Sequence, residues 1–128
     1  MKIVVDAMGG DDAPGVVIDG AVLAARQLRV EIILVGREAE IKRELARHPI
    51  SDLPISIAHA SEVVEMYEHT LAVKEKKDNS LSVGARLLKQ GKADAFMSAG
   101  NSGAVMAAAL FGLGRIRGID RPALCSKF

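Results

Sequence analysis

Tryptophan is absent from this chain, and aromatic side chains are scarce: Tyr67, Phe96, Phe111 and Phe128 are the whole set. So few flat rings give unpaired bases almost nothing to stack on, which argues against a single-strand nucleic-acid binder. Cysteine occurs once, at Cys125, which excludes an internal disulfide framework and a multi-cysteine zinc site and fits a reducing compartment. Net charge is also small. Seventeen Lys and Arg against sixteen Asp and Glu leave +1, so no overall field favours nucleic acid or an anionic membrane. Asp6 interrupts the first apolar stretch, Met1-Lys2 leads into no cleavable signal, and no segment reads as a membrane span. The expected location is cytoplasmic.

What the chain has is aliphatic bulk. With 128 residues and 49% hydrophobic content, it reads as one folded domain over residues 1–128. Consecutive rather than alternating apolar residues mark strands buried on both faces at residues 2–6 and 31–35, with further strands at 53–58 and 93–97. Helical spacing of apolar residues predicts helices over 13–30, 37–48, 80–90 and 104–113, the last so apolar that it should be buried nearly all round. Residues 60–78 read as a loop with a helical turn, and residues from 121 onward as the start of another strand. Strands alternating with helices imply an α/β fold with a mainly parallel sheet covered on both faces. A sheet interrupted there leaves an unpaired edge, which calls for pairing with another chain or leaves the fold marginal.

In such a sheet, ligands gather beyond the carboxyl ends of the strands. Two glycine-rich segments fall there: Gly9-Gly10 after the first strand, and Ser98-Ala99-Gly100-Asn101-Ser102-Gly103 after the fourth. Small residues let backbone approach a ligand, and the helix that follows aims unpaired N–H groups at it, which suits an anion such as phosphate. The same segment also reads as a tight turn with Ser98 or Asn101 capping the helix. Asp6 and Asp11 flank the first glycine pair as general bases, metal ligands or turn formers.

Six bases against two acids between Lys74 and Lys92 could add long-range charge or could form a solvated face. No Walker loop or GxGxxG fingerprint is present, which disfavours ATP hydrolysis and plain dinucleotide binding. His48, His59 and His69 lack metal-ligand spacing, so no metal and no cofactor are expected. Met66, Met97 and Met106 read as core filler and Cys125 as a buried inert thiol. Glu62, Glu65 and Glu68 would share a face if their segment were helical.

Three blocks then acquire a common meaning: VVDAMGGDDAP from Val4, KADAFMSAGNSGAVM from Lys92, and GRIRGIDRPAL from Gly114. In this order they resemble the PlsX family of phosphate acyltransferases. The resemblance covers almost the whole chain but only the N-terminal part of the family's longer chain. It implies a three-layer α/β/α sandwich, Rossmann-like and similar to phosphotransacetylases and the isocitrate dehydrogenase group, here incomplete. It also implies transfer of a fatty acyl group from acyl carrier protein to inorganic phosphate, giving acyl phosphate for phospholipid synthesis, usually by a homodimer and with possible peripheral membrane association.

The family's DAMGGD loop maps onto Asp6, Gly9, Gly10 and Asp11. Its SAGNTGA loop maps onto Ser98, Gly100, Asn101, Ser102 and Gly103, with Ser102 keeping the hydroxyl of a threonine. Asn101 and Ser102 are then expected to hold phosphate or the thioester oxyanion, with Lys77 or Lys76 offsetting the approach of two anions. Ser80 survives where the family has a serine pair, and Glu68-His69 stands where the family has Glu-Pro. Two other readings compete: a catalytically idle phosphate-binding module that pairs through its open edge, and a phosphotransacetylase using acyl-coenzyme A.

Overall fold

A computed structural model describes residues 1–125. The elements run β1 (Lys2–Asp6), α1 (Gly15–Leu28), β2 (Glu31–Gly36), α2 (Glu38–Leu45), β3 (Ile55–His59), α3 (Ala72–Glu75), α4 (Ser80–Lys89), β4 (Ala95–Met97) and α5 (Ser102–Gly112). The four strands form one sheet in the order β3-β2-β1-β4, with every pairing parallel. The expected α/β architecture is present as a partial fold whose terminal strands, β3 and β4, are both edges among the described residues.

Strand periodicity explains the layers. Val5, Ile32 and Leu34 turn to one face and pack with Ile18, Ala21, Val22 and Ala25 of α1 and Ile41 and Leu45 of α2. Val4 and Val35 turn to the other face and meet Val83 of α4, with Phe96 of β4 packed alongside. A second satellite core joins Leu81 of α4 to Ala104, Ala107 and Ala108 of α5. Val4, Ile18, Leu34 and Ile41 have no exposed surface, and each such burial stabilises the fold by roughly 1.5–3 kcal/mol.

Local chemistry sets the ends of the helices. Arg29 closes α1 in the left-handed region at φ 52°. Acidic Glu38 and Glu40 in the first turn of α2 and basic Lys42 and Arg43 in its last turn complement the helix dipole. Fully buried Asn79 caps α4: its side-chain oxygen accepts from the Ser82 N–H at 2.8 Å, while its amide donates to the Val73 and Lys76 carbonyls. Asn79→Ala is expected to cost about 2 kcal/mol, because it removes a cap and strands buried carbonyls. A urea titration of both chains would measure the loss.

Several expectations are corrected. Strand β3 begins at Ile55 because Pro54 has no N–H to give to a ladder. Strand β4 begins at Ala95, where pairing with Ile3 starts. Residues 60–78 include the short α3, but the Glu62–Glu68 stretch is not helical: Glu62 forms an isolated bridge with Asn79, and Glu68 binds Lys76 at 2.6 Å. Met66 and Met97 are exposed rather than core, and Cys125 is exposed rather than buried. Helix α5 is not buried all round, since Phe111 and Leu113 at its end are exposed. No strand forms over residues 121–125, and the remainder of that expected strand, 126–128, lies outside the described residues. The uncharged run 95–114 is divided among β4, a loop and α5, so no helix among the described residues is long and apolar enough to cross a membrane.

Candidate functional site

Parallel pairing brings the carboxyl ends of β1 and β4 side by side, so the two small-residue loops that follow them meet. Asp6, at the end of β1, is only 2% exposed. Its Oδ1 accepts from the Met8 N–H at 3.1 Å and its Oδ2 from the Ser98 hydroxyl at 2.8 Å. The Ser98 oxygen in turn accepts from the Gly100 N–H at 3.0 Å. This chain of bonds ties the loop after β1 to the loop after β4. Gly9 sits inside the junction, where a Cβ would lie 2.5 Å from Asp6 Oδ2, 2.8 Å from Ser98 Oγ and 2.9 Å from the Gly100 nitrogen. Gly10 follows at φ +115° against Ala99.

Burial pushes the Asp6 carboxyl above its ordinary value of 3.8, while the Ser80 and Ser98 hydroxyls and the Met8 and Gly9 amides pull it back down. A raised native value means that the folded chain retains a proton the unfolded chain has already released. The contribution of Asp6 to stability is therefore full below pH 3.8 and is lost as pH rises through the folded value. Asp6→Asn is expected to remove this component. Urea midpoints of the variant relative to the parent should climb across that window, and a parallel pair of curves would contradict it.

The second loop runs directly into α5. Asn101 caps the helix, its Oδ1 accepting from the Ala104 N–H at 3.1 Å, and its amide donates to the carbonyls of Met66 at 3.2 Å and Glu68 at 3.0 Å. Both ends of that side chain are committed, so in this structure Asn101 shapes the loop rather than presenting its amide to the open side. The Val105 N–H goes to the Asn101 carbonyl. Helix geometry leaves the N–H groups of Ser102 and Gly103 without intrahelical acceptors. Ser102 itself is exposed, and a Cβ on Gly103 would lie 2.8 Å from Thr70 Oγ1.

Beyond these groups a cavity of about 500 Å³ opens. Ser98, Gly100 and Ser102 form its polar end, and Val105, Ala109 and Leu110 continue it along α5. Ile116, Ile119 and Leu124 of the following segment also line it, together with Arg115 and Arg121. A small polar mouth at a helix N-terminus joined to an aliphatic trough can take an amphiphile with an oxyanion head.

Of the residues expected at the site, Asp6, Gly9, Ser98 and Gly100 are brought into direct contact, and Ser102 joins them on the cavity side. Ser80 is buried at the first turn of α4 and its hydroxyl acts on Asp6 from the other side. Asp11 and Lys77 are exposed and line no part of the cavity. Lys76 is spent elsewhere: its ammonium donates to Glu68 at 2.6 Å and to the Val63 carbonyl at 2.7 Å, and it holds Glu68 below the usual carboxylate range. Lys74 stacks over the Phe111 ring at 4.0 Å. The sequence reading missed Arg115, Arg121 and Thr70. Their only linear signal is the basic block after α5 and a hydroxyl next to the family's altered Glu68-His69 pair.

The family model described as Fatty acid synthesis protein matches residues 1–128. Relatives named Phosphate acyltransferase include one from Herpetosiphon aurantiacus, 53% identical over 100% of this chain and 35% of the relative. One from Geotalea daltonii is 53% identical over 100% of this chain and 37% of its own. One from Pelotomaculum thermopropionicum is 54% identical over 97% of this chain and 36% of its own. The chain thus spans little more than a third of the length of the curated relatives it matches. Its full-length match to that family model, together with identities above half across the whole chain, places these residues in the fatty acid synthesis protein family, the PlsX phosphate acyltransferases.

Proposed function

We propose that this chain supplies the phosphate and acyl-chain portion of an enzyme that transfers a fatty acyl group from acyl carrier protein to inorganic phosphate. The observation that carries the reading is the cavity whose polar end, Ser98, Gly100 and Ser102, opens into an aliphatic trough along α5. The N–H group of Ser102, at the positive end of the α5 dipole, holds phosphate or the thioester oxyanion. The acyl chain lies along Val105, Ala109 and Leu110. Arg115 and Arg121 offset the negative charge of phosphate and carrier, the role first expected of Lys77.

A phosphate oxygen attacks the thioester carbonyl, the new C–O bond forms as the C–S bond breaks, and the sulfur leaves as thiolate to be protonated by solvent. Phosphate is already anionic, so positioning and charge stabilisation supply the acceleration and no cofactor is required. The product, an acyl phosphate, feeds phospholipid synthesis. The complete protein acts as a cytoplasmic homodimer at or near the inner membrane surface.

Thiol release from acyl carrier protein thioester, measured with and without phosphate in a full-length relative, tests the reaction; release indifferent to phosphate would end it. For this chain, calorimetric affinity for saturated acyl phosphates of decreasing length tests the trough. Affinity should fall about fourfold for each methylene removed, and a flat series would contradict it.

A further inference from the structure

Residues 113–125 are exposed without a break, yet they include side chains that line the cavity beside α5. Ile116 is 78%, Ile119 52% and Leu124 78% exposed, while Val105, Ala109 and Leu110 of α5 on the same cavity are half-buried. Three large aliphatic side chains thus border an apolar surface and remain mostly in water. The burial still open to them favours closure.

The backbone allows the segment to move as a unit. The Ile119 N–H donates to the Ile116 carbonyl at 3.0 Å, with Gly118 at φ +87° in the turn position that favours glycine. Arg115 braces the same turn, its guanidinium donating to the Asp120 carbonyl at 3.0 Å. Among the described residues, no hydrogen bond joins 115–125 to the rest of the chain. The link to α5 is Gly114, whose N–H donates to the Leu110 carbonyl at 3.2 Å and whose φ is +86°, with nothing within 4 Å of a built Cβ. Residues 115–120 are therefore a braced turn hung from one unobstructed joint at the end of a helix, where hinges are found.

We propose that residues 114–124 are a strap that swings at Gly114 and folds onto α5 around the apolar tail of a bound amphiphile, and that an oxyanion without a tail leaves it open. This rests on the reading of the cavity as an acyl-chain site and adds to it a moving part and a selectivity. Only a tail offers apolar surface for Ile116, Ile119 and Leu124 to cover, and covering it takes both partners out of water.

Limited trypsin digestion reads the strap at Arg117, which is exposed and does not line the cavity, so that a bound ligand does not shield it directly. Cleavage after Arg117, resolved by mass spectrometry, is compared for the 128-residue chain alone, with inorganic phosphate, and with dodecyl phosphate below its micelle concentration. Cleavage follows the open population, so saturating dodecyl phosphate should slow it at least about tenfold. Inorganic phosphate should leave it unchanged. Exposed Arg29, at the end of α1, supplies the internal control and should be cut equally in all three. The double variant Ile116→Asp/Ile119→Asp alters two exposed side chains and should lose the protection while calorimetry still detects the ligand.

Calorimetric binding of dodecyl phosphate to the parent chain without protection of Arg117 overturns the strap and leaves the acyl-chain site standing. Equal protection of Arg29, equal protection by inorganic phosphate, or protection that survives in the double variant overturns the strap in the same way. Absence of dodecyl phosphate binding overturns the strap and the acyl-chain reading together. Should the double variant fail to fold, the parent chain with the two ligands still decides.

Discussion

Replacing Leu34 by alanine should cost between about 2 and 5 kcal/mol, the range for emptying a fully enclosed aliphatic site that relaxes only in part. Leu34 has no exposed surface and lies in β2, flanked by β1 and β3 and covered by α1 and α2. Its neighbours are held on several sides, so collapse into the void is limited. A chain of this size has roughly 5–15 kcal/mol of stability in all. A large fraction of the variant is therefore expected to be unfolded at 37 °C. Chemical denaturation followed by circular dichroism measures the loss, and a change below about 1 kcal/mol would mean the core is looser than its packing implies.

Gly9→Ala should be nearly as damaging, for a different reason. The added methyl would press on Asp6 Oδ2, Ser98 Oγ and the Gly100 nitrogen, at 2.5, 2.8 and 2.9 Å. Two of these atoms belong to short side chains bonded to each other and the third is backbone, so none is a flexible end that can swing aside. Relief requires parting the two loops. A cost of about 1–3 kcal/mol is expected, together with loss of phosphate binding, because the loop that leads into α5 loses its anchor. Gly20, exposed in α1 with nothing within 4 Å of a built Cβ, supplies the control. Gly20→Ala should stabilise the helix by up to about 1 kcal/mol and leave binding unchanged. Melting curves and phosphate titrations of the two variants separate steric damage at the junction from a general intolerance of alanine.

How much of this was legible beforehand varies by element. Consecutive apolar residues in β1 and β2 declared strands covered on both faces, and helices do cover both faces. Asn101 and Asn79 precede helices, which is a capping signal in any sequence; that the amide of Asn101 would reach the carbonyls of Met66 and Glu68 is a contact across 33 to 35 positions and leaves no local trace. Lys76 and Lys77 were indistinguishable as charges in a row, yet only Lys76 is close enough to Glu68 to pair with it. The apolar composition of α5 suggested full burial. Instead, part of its surface lines the cavity, because an aliphatic wall facing a cavity and one facing a core have the same composition.

The order of residues alone settled the family, the alternation of strand and helix, and the presence of two small-residue loops at strand ends, since each of these depends on neighbours within a few positions. Tertiary structure alone decided that Asp6 and Ser98, 92 positions apart, share a proton, and that Arg115 and Arg121 rather than Lys77 line the cavity. The reason lies in the sheet: with β1 between β2 and β4, two loops distant in the chain leave the same edge side by side, and only that adjacency converts two turns into one site.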